Sequence, residues 1–338
     1  MKNVFLIKSH LRAMRRNPYS HSRLEEQACP AKSNTLLFLI LVLLTVRFAS
    51  AQELANIAGA FVDIGFGARP MGLGGAYIAV ADDADALFWN PAGVAALDGQ
   101  VASFFYTRQF SLIPYTFAAY ANGMPDKNWG HSEALLVSGD DALRETTLLF
   151  SVAYDLDLLV DGLKIGATFK YKNATFGNNP NGGEGQVRGS AVGLGMDIGA
   201  LCPLSSKFTA GLVLKNLFDF LSWNSSAMGM YSQGSPLRLL GGIAMRPGHN
   251  LLISVDLEKS LHSDTRDRLS VGVEKRIFNM LAFRSGVFQN MVAAADMNYN
   301  FGFGFQYALA NNVLFAVDAA YLVQEINNSL RFSFTVRF

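Results

Sequence analysis

The chain has 338 residues, of which 50% are apolar and 16% charged, and its formal charge is +1. Only two cysteines exclude a disulfide-stapled scaffold. Thirty-one glycines and 26 phenylalanines, without an apolar run of membrane length, exclude a helical membrane protein and point to strands with aromatic outer faces.

Residues 1–51 read as a signal peptide. Arg12, Arg15, Arg16, Arg23 and Lys32 precede an apolar run from Leu36 to Val46, and Ala49-Ser50-Ala51 gives an A-x-A cleavage pattern before Gln52. That run is shorter than the ~20 residues of a spanning helix. The basic region is long for a leader, which makes Met14 a second candidate start. Without residues 1–51, Lys+Arg falls from 28 to 20 and Asp+Glu from 27 to 25, a net charge of −5. No nucleic-acid partner is expected of such a chain. Cys29 leaves with the leader, so Cys202 stands alone.

The segment 52–99 is of a different kind. Gly65, Gly67, Gly72, Gly74 and Gly75 lie close together, a density that permits close backbone packing and positive φ. Asp82 or Asp83 is placed to cap a short helix through Ala84 to Trp89. Pro91 stops that helix, and Asn90-Pro91 is a turn signal ahead of Ala92. Asp82, Asp83 and Asp85 lack the spacing of a calcium loop, and capping is the preferred reading. A compact piece of this kind fits inside a barrel lumen as a hatch.

Residues 100–338 alternate in segments of about ten residues separated by turn signals, the spacing of membrane-spanning strands. Tyr299, Phe301, Phe303, Phe305 and Tyr307, for example, alternate with polar or small neighbours. Strands are expected near 100–109, 113–121, 129–138, 145–156, 163–172, 188–200, 207–216, 237–246, 250–258, 267–276, 280–288, 298–307, 312–322 and 329–338. The fold class is therefore all-β, an outer-membrane β-barrel of about 14 antiparallel strands with an N-terminal luminal hatch. From the fifth strand onward long and short connections alternate, as they do when both termini are periplasmic. Lys170, Asp197, Asp256, Glu274, Arg284 and Arg331 fall on the polar faces, among other charges. A charge on the lipid face at mid-depth costs about 2–4 kcal/mol, so these belong in the lumen. In the last segment Leu330, Phe332, Phe334, Val336 and Phe338 share one face. The terminal Phe338 resembles the signal that the barrel-assembly machinery reads.

The stretch from Gly67-Ala68-Arg69 through Gly72, Gly74 and Gly75, then Asp82-Asp83 and Asn90-Pro91-Ala92-Gly93, resembles the PorV/PorQ family, itself related to the FadL transporters. The resemblance implies that Asn90, Pro91 and Ala92 belong to a hatch plugging the lumen. PorV-type members imply a non-enzymatic component of a type IX secretion system that accepts exported cargo. FadL-type members imply passage of hydrophobic compounds through the lumen and out sideways. The short outer loops of this chain depart from a deep extracellular cradle.

No catalytic pattern accompanies His131, His249 and His262, and the glycines of the hatch are not followed by the Lys-Ser/Thr of a phosphate loop. No enzyme, cofactor or metal site is expected. The segment Leu217–Pro236 reads as an apolar outer loop carrying Phe218, Phe220, Trp223, Met228, Met230 and Tyr231, either a capture surface or a loop tucked on the rim. Three functional readings stay open: a PorV/PorQ-like carrier of exported proteins, a FadL-like channel for hydrophobic compounds, and a structural barrel. The charged lumen favours the carrier, because a hydrophobic channel needs an apolar pocket behind the hatch. Expected partners are outer-membrane lipid and the barrel-assembly machinery, with secretion components and cargo, or a hydrophobic small molecule, according to the reading.

Overall fold

The computed structural model describes residues 64–338 apart from 110, 158–159, 179–182, 184, 262–266, 292–296, 310–312 and 324–327. The expected signal peptide, Met14, the first part of the hatch and His262 lie outside the described residues.

Fifteen strands follow the hatch: β1 (Gly99–Gln109), β2 (Ile113–Met124), β3 (Trp129–Gly139), β4 (Leu143–Asp155), β5 (Lys164–Phe176), β6 (Gly189–Pro203), β7 (Phe208–Ser225), β8 (Gly229–Gln233), β9 (Arg238–Gly248), β10 (Leu251–Ser260), β11 (Arg268–Ile277), β12 (Leu281–Asn290), β13 (Met297–Ala308), β14 (Leu314–Val323) and β15 (Ser329–Arg337). β1 pairs antiparallel with β15 from Val101 opposite Arg337 to Thr107 opposite Arg331, which closes the sheet. β8 pairs with β7 alone and stands outside the ring, leaving a closed barrel of 14 antiparallel strands. Closure removes the free edges that hydrocarbon would not tolerate.

The segment Leu217–Pro236 is a correction to the sequence reading, because it is mostly strand. β7 runs on to Ser225 and folds back as β8. Alternation is lost at a bulge, where Met196 faces Phe218 but Ile198 faces Leu214, and Asn216 takes φ 58°. A pattern count stops there although the strand does not. The link between β1 and β2 is short: Gln109 pairs with Ile113 across a turn with Ser111 at φ 60°.

Side chains divide by face as the alternation requires. Phe104, Phe169, Phe283, Phe303 and Phe332 are exposed on the outside, whereas Lys170, Asp197, Asp256, Glu274 and Arg331 are buried. The aromatic outer band and charged interior make this an outer-membrane barrel. From β5 onward the shorter connections gather at the end carrying Gly99 and Phe338, the periplasmic end by that architecture.

The hatch consists of α1 (Ala68–Gly72), α2 (Ala86–Trp89) and a 3-10 helix (Pro91–Ala96) joined by tight turns. The expected start of the second helix at Ala84 is corrected: it begins at Ala86, after Asp85. Asp83 Oδ1 accepts the Asp85 N–H at 3.1 Å, so this acid orders the turn before the helix. Pro91 ends α2 as expected, and Asn90 Oδ1 caps the following turn by accepting the Ala92 N–H at 3.1 Å.

The hatch backbone touches the wall where the wall has no side chain. A Cβ on Gly286 would lie 2.1 Å from Gly74 N, one on Gly166 2.5 Å from Pro91 C, and one on Gly211 2.4 Å from Ile78 O. Gly286→Val is therefore expected to unseat the hatch at an overpacking cost of about 1–3 kcal/mol. The barrel should keep its folded gel mobility while protease gains access to the hatch. Gly241→Ala, where a Cβ meets nothing within 4 Å, should change neither. Equal protease resistance in both variants would refute this account of the seating.

Candidate functional site

The hatch meets the two halves of the wall through different chemistry. Against β1 and β2 it presents aromatic rings. Phe66 lies edge-on to Phe88 at 4.8 Å and to Phe105 at 5.8 Å between centroids, and stacks on Phe117 at 5.3 Å. All four rings are buried, and each contributes about 1.5–3 kcal/mol by leaving water. Trp89 packs edge-on to Phe88 and satisfies its indole N–H with Phe66 O at 2.9 Å.

Against β10 to β15 the contact is ionic. Arg69 donates through Nε to Glu274 Oε2 at 3.0 Å, through Nη1 to Tyr77 Oη at 2.8 Å, and through Nη1 to Asp82. Arg276 and Arg284 donate to the same Glu274 at 3.0 and 2.6 Å, and Arg284 continues to Asp318 at 2.6 Å. One carboxylate thus serves three guanidiniums. Removing a single partner from so buried a group costs about 3–5 kcal/mol. Asp256 Oδ2 accepts the N–H groups of Tyr77 and Ile78 at 2.6 and 2.8 Å, and Asn300 donates to Met71 O at 2.7 Å.

Within the hatch the three aspartates diverge. Burial works against the Asp82 charge, but Arg69 outweighs it and holds that carboxyl below its ordinary value. Burial pushes Asp83 up, and Tyr77 Oη donates to its Oδ2 at 2.5 Å. Asp85 is pushed up to about 8, by burial first and then by Asp83, while Ser103 Oγ donates to its Oδ1 at 2.8 Å.

Cavities open on both sides of the hatch. The outer one, about 290 Å³, has Met71, Ile78, Phe88 and Trp89 among its hatch-side lining and Lys215, Arg238, Glu258, Arg268 and Arg331 on the wall side. The periplasmic one, about 340 Å³, borders Arg69, Asp82, Arg284, Asp318 and Arg337. The outer cavity lies beside a break in the wall ladder. β7 pairs with β9 up to Lys215 opposite Arg238 and with β8 from Leu221 opposite Gln233, so Asn216 to Phe220 face neither.

The residues singled out in the sequence scatter over this frame. Gly74 and Gly75 take φ 68° and 78° and border the outer cavity, whereas Gly72 lies against Gly302. Asp82 and Asp83 belong to the ionic half. Asn90 donates to Ile78 O at 2.8 Å and Ala200 O at 3.0 Å, and Pro91 and Ala92 lie against Gly166. Trp223 faces inward, 9% exposed, stacked on Tyr231 and donating to Gln233 Oε1 at 3.0 Å. Phe218, Phe220, Met228 and Met230 are exposed. Phe338 is exposed, and its N–H donates to Gln100 O at 2.9 Å. Sequence reasoning gave Arg69 no role and placed Glu274 and Arg331 only as luminal charges. A charge inside a strictly alternating strand was the available signal for the last two.

Comparison with solved structures gives the same architecture. The monoaromatic hydrocarbon channel CymD superposes with a TM-score of 0.58 at 16% identity, covering 81% of this chain and 96% of CymD. The toluene transporter TbuX of Ralstonia pickettii gives 0.56 at 15%, covering 81% and 98%. A FadL homologue of Pseudomonas aeruginosa gives 0.55 at 10%, again covering 81% and 98%. A scan of family models found no match, and neither did a search of curated proteins. Likeness at these identities establishes the barrel fold, shared with outer-membrane transporters.

The Asp85 carboxyl sets a pH dependence. An undocked aspartate ionises near 3.9, roughly, whereas the docked one holds its proton up to about 8. Between these values the docked hatch binds the extra proton, so its stability is full below the lower value and falls as pH rises through the upper one. Hydrogen exchange of the α2 amides should therefore quicken from pH 6 to pH 9 beyond the intrinsic rate. Asp85→Asn should remove that excess, and a variant with an unchanged profile would refute the assignment.

Proposed function

We propose that this barrel admits small hydrophobic compounds across the outer membrane, as a FadL-like channel. The observation that carries the reading is the outer cavity, whose floor is the apolar side of the hatch at Met71, Ile78, Phe88 and Trp89. Ligand pockets commonly measure about 300–1,000 Å³, and this one, at about 290 Å³ with polar and apolar lining in similar measure, stands at the lower edge. A roughly 150 Å³ apolar cavity already takes benzene, so the room here suits a single ring better than a long chain. The shared fold with CymD and TbuX, described as a monoaromatic hydrocarbon channel and a toluene transporter, supports the same direction. The ladder break beside Lys215 offers a sideways route from the cavity toward lipid.

This reverses the order expected from the polar lumen. The charges at the hatch are spent on one another and on its periplasmic side, which leaves an apolar surface facing out. A PorV/PorQ-like carrier of exported proteins is the second reading. It is supported by the resemblance of the hatch motif and by Met228 and Met230, 74% and 79% exposed at the β7–β8 hairpin. Trp223 and Tyr231, which would have strengthened such a surface, are turned toward each other.

Trp89 reports directly on the floor. With Trp129 and Trp223 replaced by Phe, toluene added to the purified barrel should change Trp89 fluorescence saturably. Phe88→Ala in that background should weaken the response about tenfold, in keeping with the roughly 1.5–3 kcal/mol of a buried ring. A folded barrel without a saturable response would sink the channel reading. Stoichiometric binding of a purified exported protein from the same organism, lost with Met228→Ser and Met230→Ser, would then favour the carrier.

A further inference from the structure

Among the described residues, the charged side chains of the strands face the lumen or lie within two residues of a strand end, with one exception. In β3, Ser132, Ala134 and Leu136 are buried against the interior, which turns His131, Glu133 and Leu135 to the outside. Glu133 is thus a carboxylate on the lipid face, four residues into its strand. Across the sheet it stands in a row with Tyr120 of β2, Phe150 of β4 and Phe169 of β5. Both phenylalanines are exposed on the outer surface, as is Leu135, the next outward residue of β3. Glu133 therefore interrupts the apolar band.

Its one neighbour of matching chemistry is His131, whose Nδ1 lies 2.8 Å from Glu133 Oε1. The imidazole is held between Trp129 and Tyr120, at 5.7 and 6.3 Å between centroids. Glu133 nevertheless leaves 45% of its side chain uncovered, and among the described residues neither its Oε2 nor His131 Nε2 has a partner. Hydrocarbon offers neither donor nor acceptor. Lipid headgroups lie too far away: Trp129 adjoins the periplasmic turn at girdle level, and Glu133 stands roughly 13 Å further along the strand.

A charged imidazole donates from both nitrogens and a carboxylate accepts at both oxygens, so two such pairs facing each other complete one another. All copies of a barrel insert with the same orientation. A two-fold axis along the membrane normal then brings equal depths, and hence the two pairs, together. Ala102, Ala118 and Ala167 on the adjoining strands also face outward, and their short side chains let a second wall approach.

We propose that this barrel pairs with a second copy of itself through the outer face of β2 to β4, His131 of each copy donating to Glu133 of the other. Neither the hatch nor the outer cavity takes part.

The test is disulfide cross-linking in native outer membranes carrying the full chain. In a Cys202→Ser background, Leu135→Cys should give a covalent dimer on oxidation with copper phenanthroline. Val273→Cys, on the outer face of β11 across the ring, should give none. Adding Glu133→Leu, a side chain suited to lipid, should leave folded gel mobility unchanged and cut the dimer yield at least tenfold. His131→Leu serves where that variant does not fold, with the same loss expected. No dimer, equal dimer from both cysteines, or a yield untouched by these variants would overturn the proposal. So would a cross-link from Leu135→Cys solely to a different protein, which would give the face another partner.

Discussion

The hatch could not occupy the lumen if the strands it crosses carried side chains at the crossing points. Gly166, Gly211, Gly272 and Gly286 face inward where the hatch backbone passes, each too close for a Cβ. Glycine weakens a strand by its entropy and its missing contacts. Here the loss is offset by docking backbone against backbone, which brings the hatch amides and carbonyls within reach of short wall side chains. Asp256 takes two N–H groups, Ser333 accepts the Ala68 N–H at 2.7 Å, and Thr168 donates to Leu87 O at 2.7 Å. A segment with little regular structure has few internal partners for its backbone, so these wall groups complete its hydrogen bonding.

Seating and charge are linked through Arg69. Its guanidinium joins the hatch acids to Glu274, and Glu274 joins the arginines of β11 and β12 to Asp318 of β14. Charges of both signs fill this half of the lumen, and only their interleaving makes it stable. The other half, built on Phe66, needs no such matching because apolar contact is non-directional. The hatch is thereby fixed in orientation on one side and filled on the other. The outer cavity opens between these regimes, which is why rings and cations line it together.

Most of the wall was legible in the sequence because each strand must show hydrocarbon one face and a polar lumen the other. Phe301 and Asn300 cannot exchange places without a cost on both faces. Strand order followed from chain order, since antiparallel neighbours joined by short turns leave no other arrangement. The failures have physical causes. The reading of β7 stopped at Asn216 because a bulge destroys the period that was being counted. The helix in the hatch was started too early because Asp82 and Asp83 resemble caps, whereas their carboxylates answer to Arg69 and Tyr77, contacts that tertiary packing creates. The hatch itself was recognisable from its glycines and Asn90-Pro91-Ala92. Its partners were not, because a strand glycine does not say which backbone it admits.

The bulge shows how a wall can be interrupted beside a cavity without exposing backbone to lipid. Above Lys215, β7 leaves β9 and has not yet met β8, at a level where Phe218 and Phe220 still face outward. Backbone groups left unpaired in hydrocarbon cost several kcal/mol each, so they must be satisfied from inside. Asp197 accepts the Asn216 N–H at 2.7 Å, Asn216 Nδ2 donates to Pro236 O at 3.1 Å, and Asp219 accepts the Ser235 N–H at 3.1 Å. Those two carboxylates are balanced by lysines, Lys170 at 2.6 Å from Asp197 and Lys172 paired with Asp219. Each buried charge in this cluster therefore traces back to a missing ladder bond. The polar lumen that first suggested a closed carrier is, at this point, the means by which the barrel holds a break in its own wall.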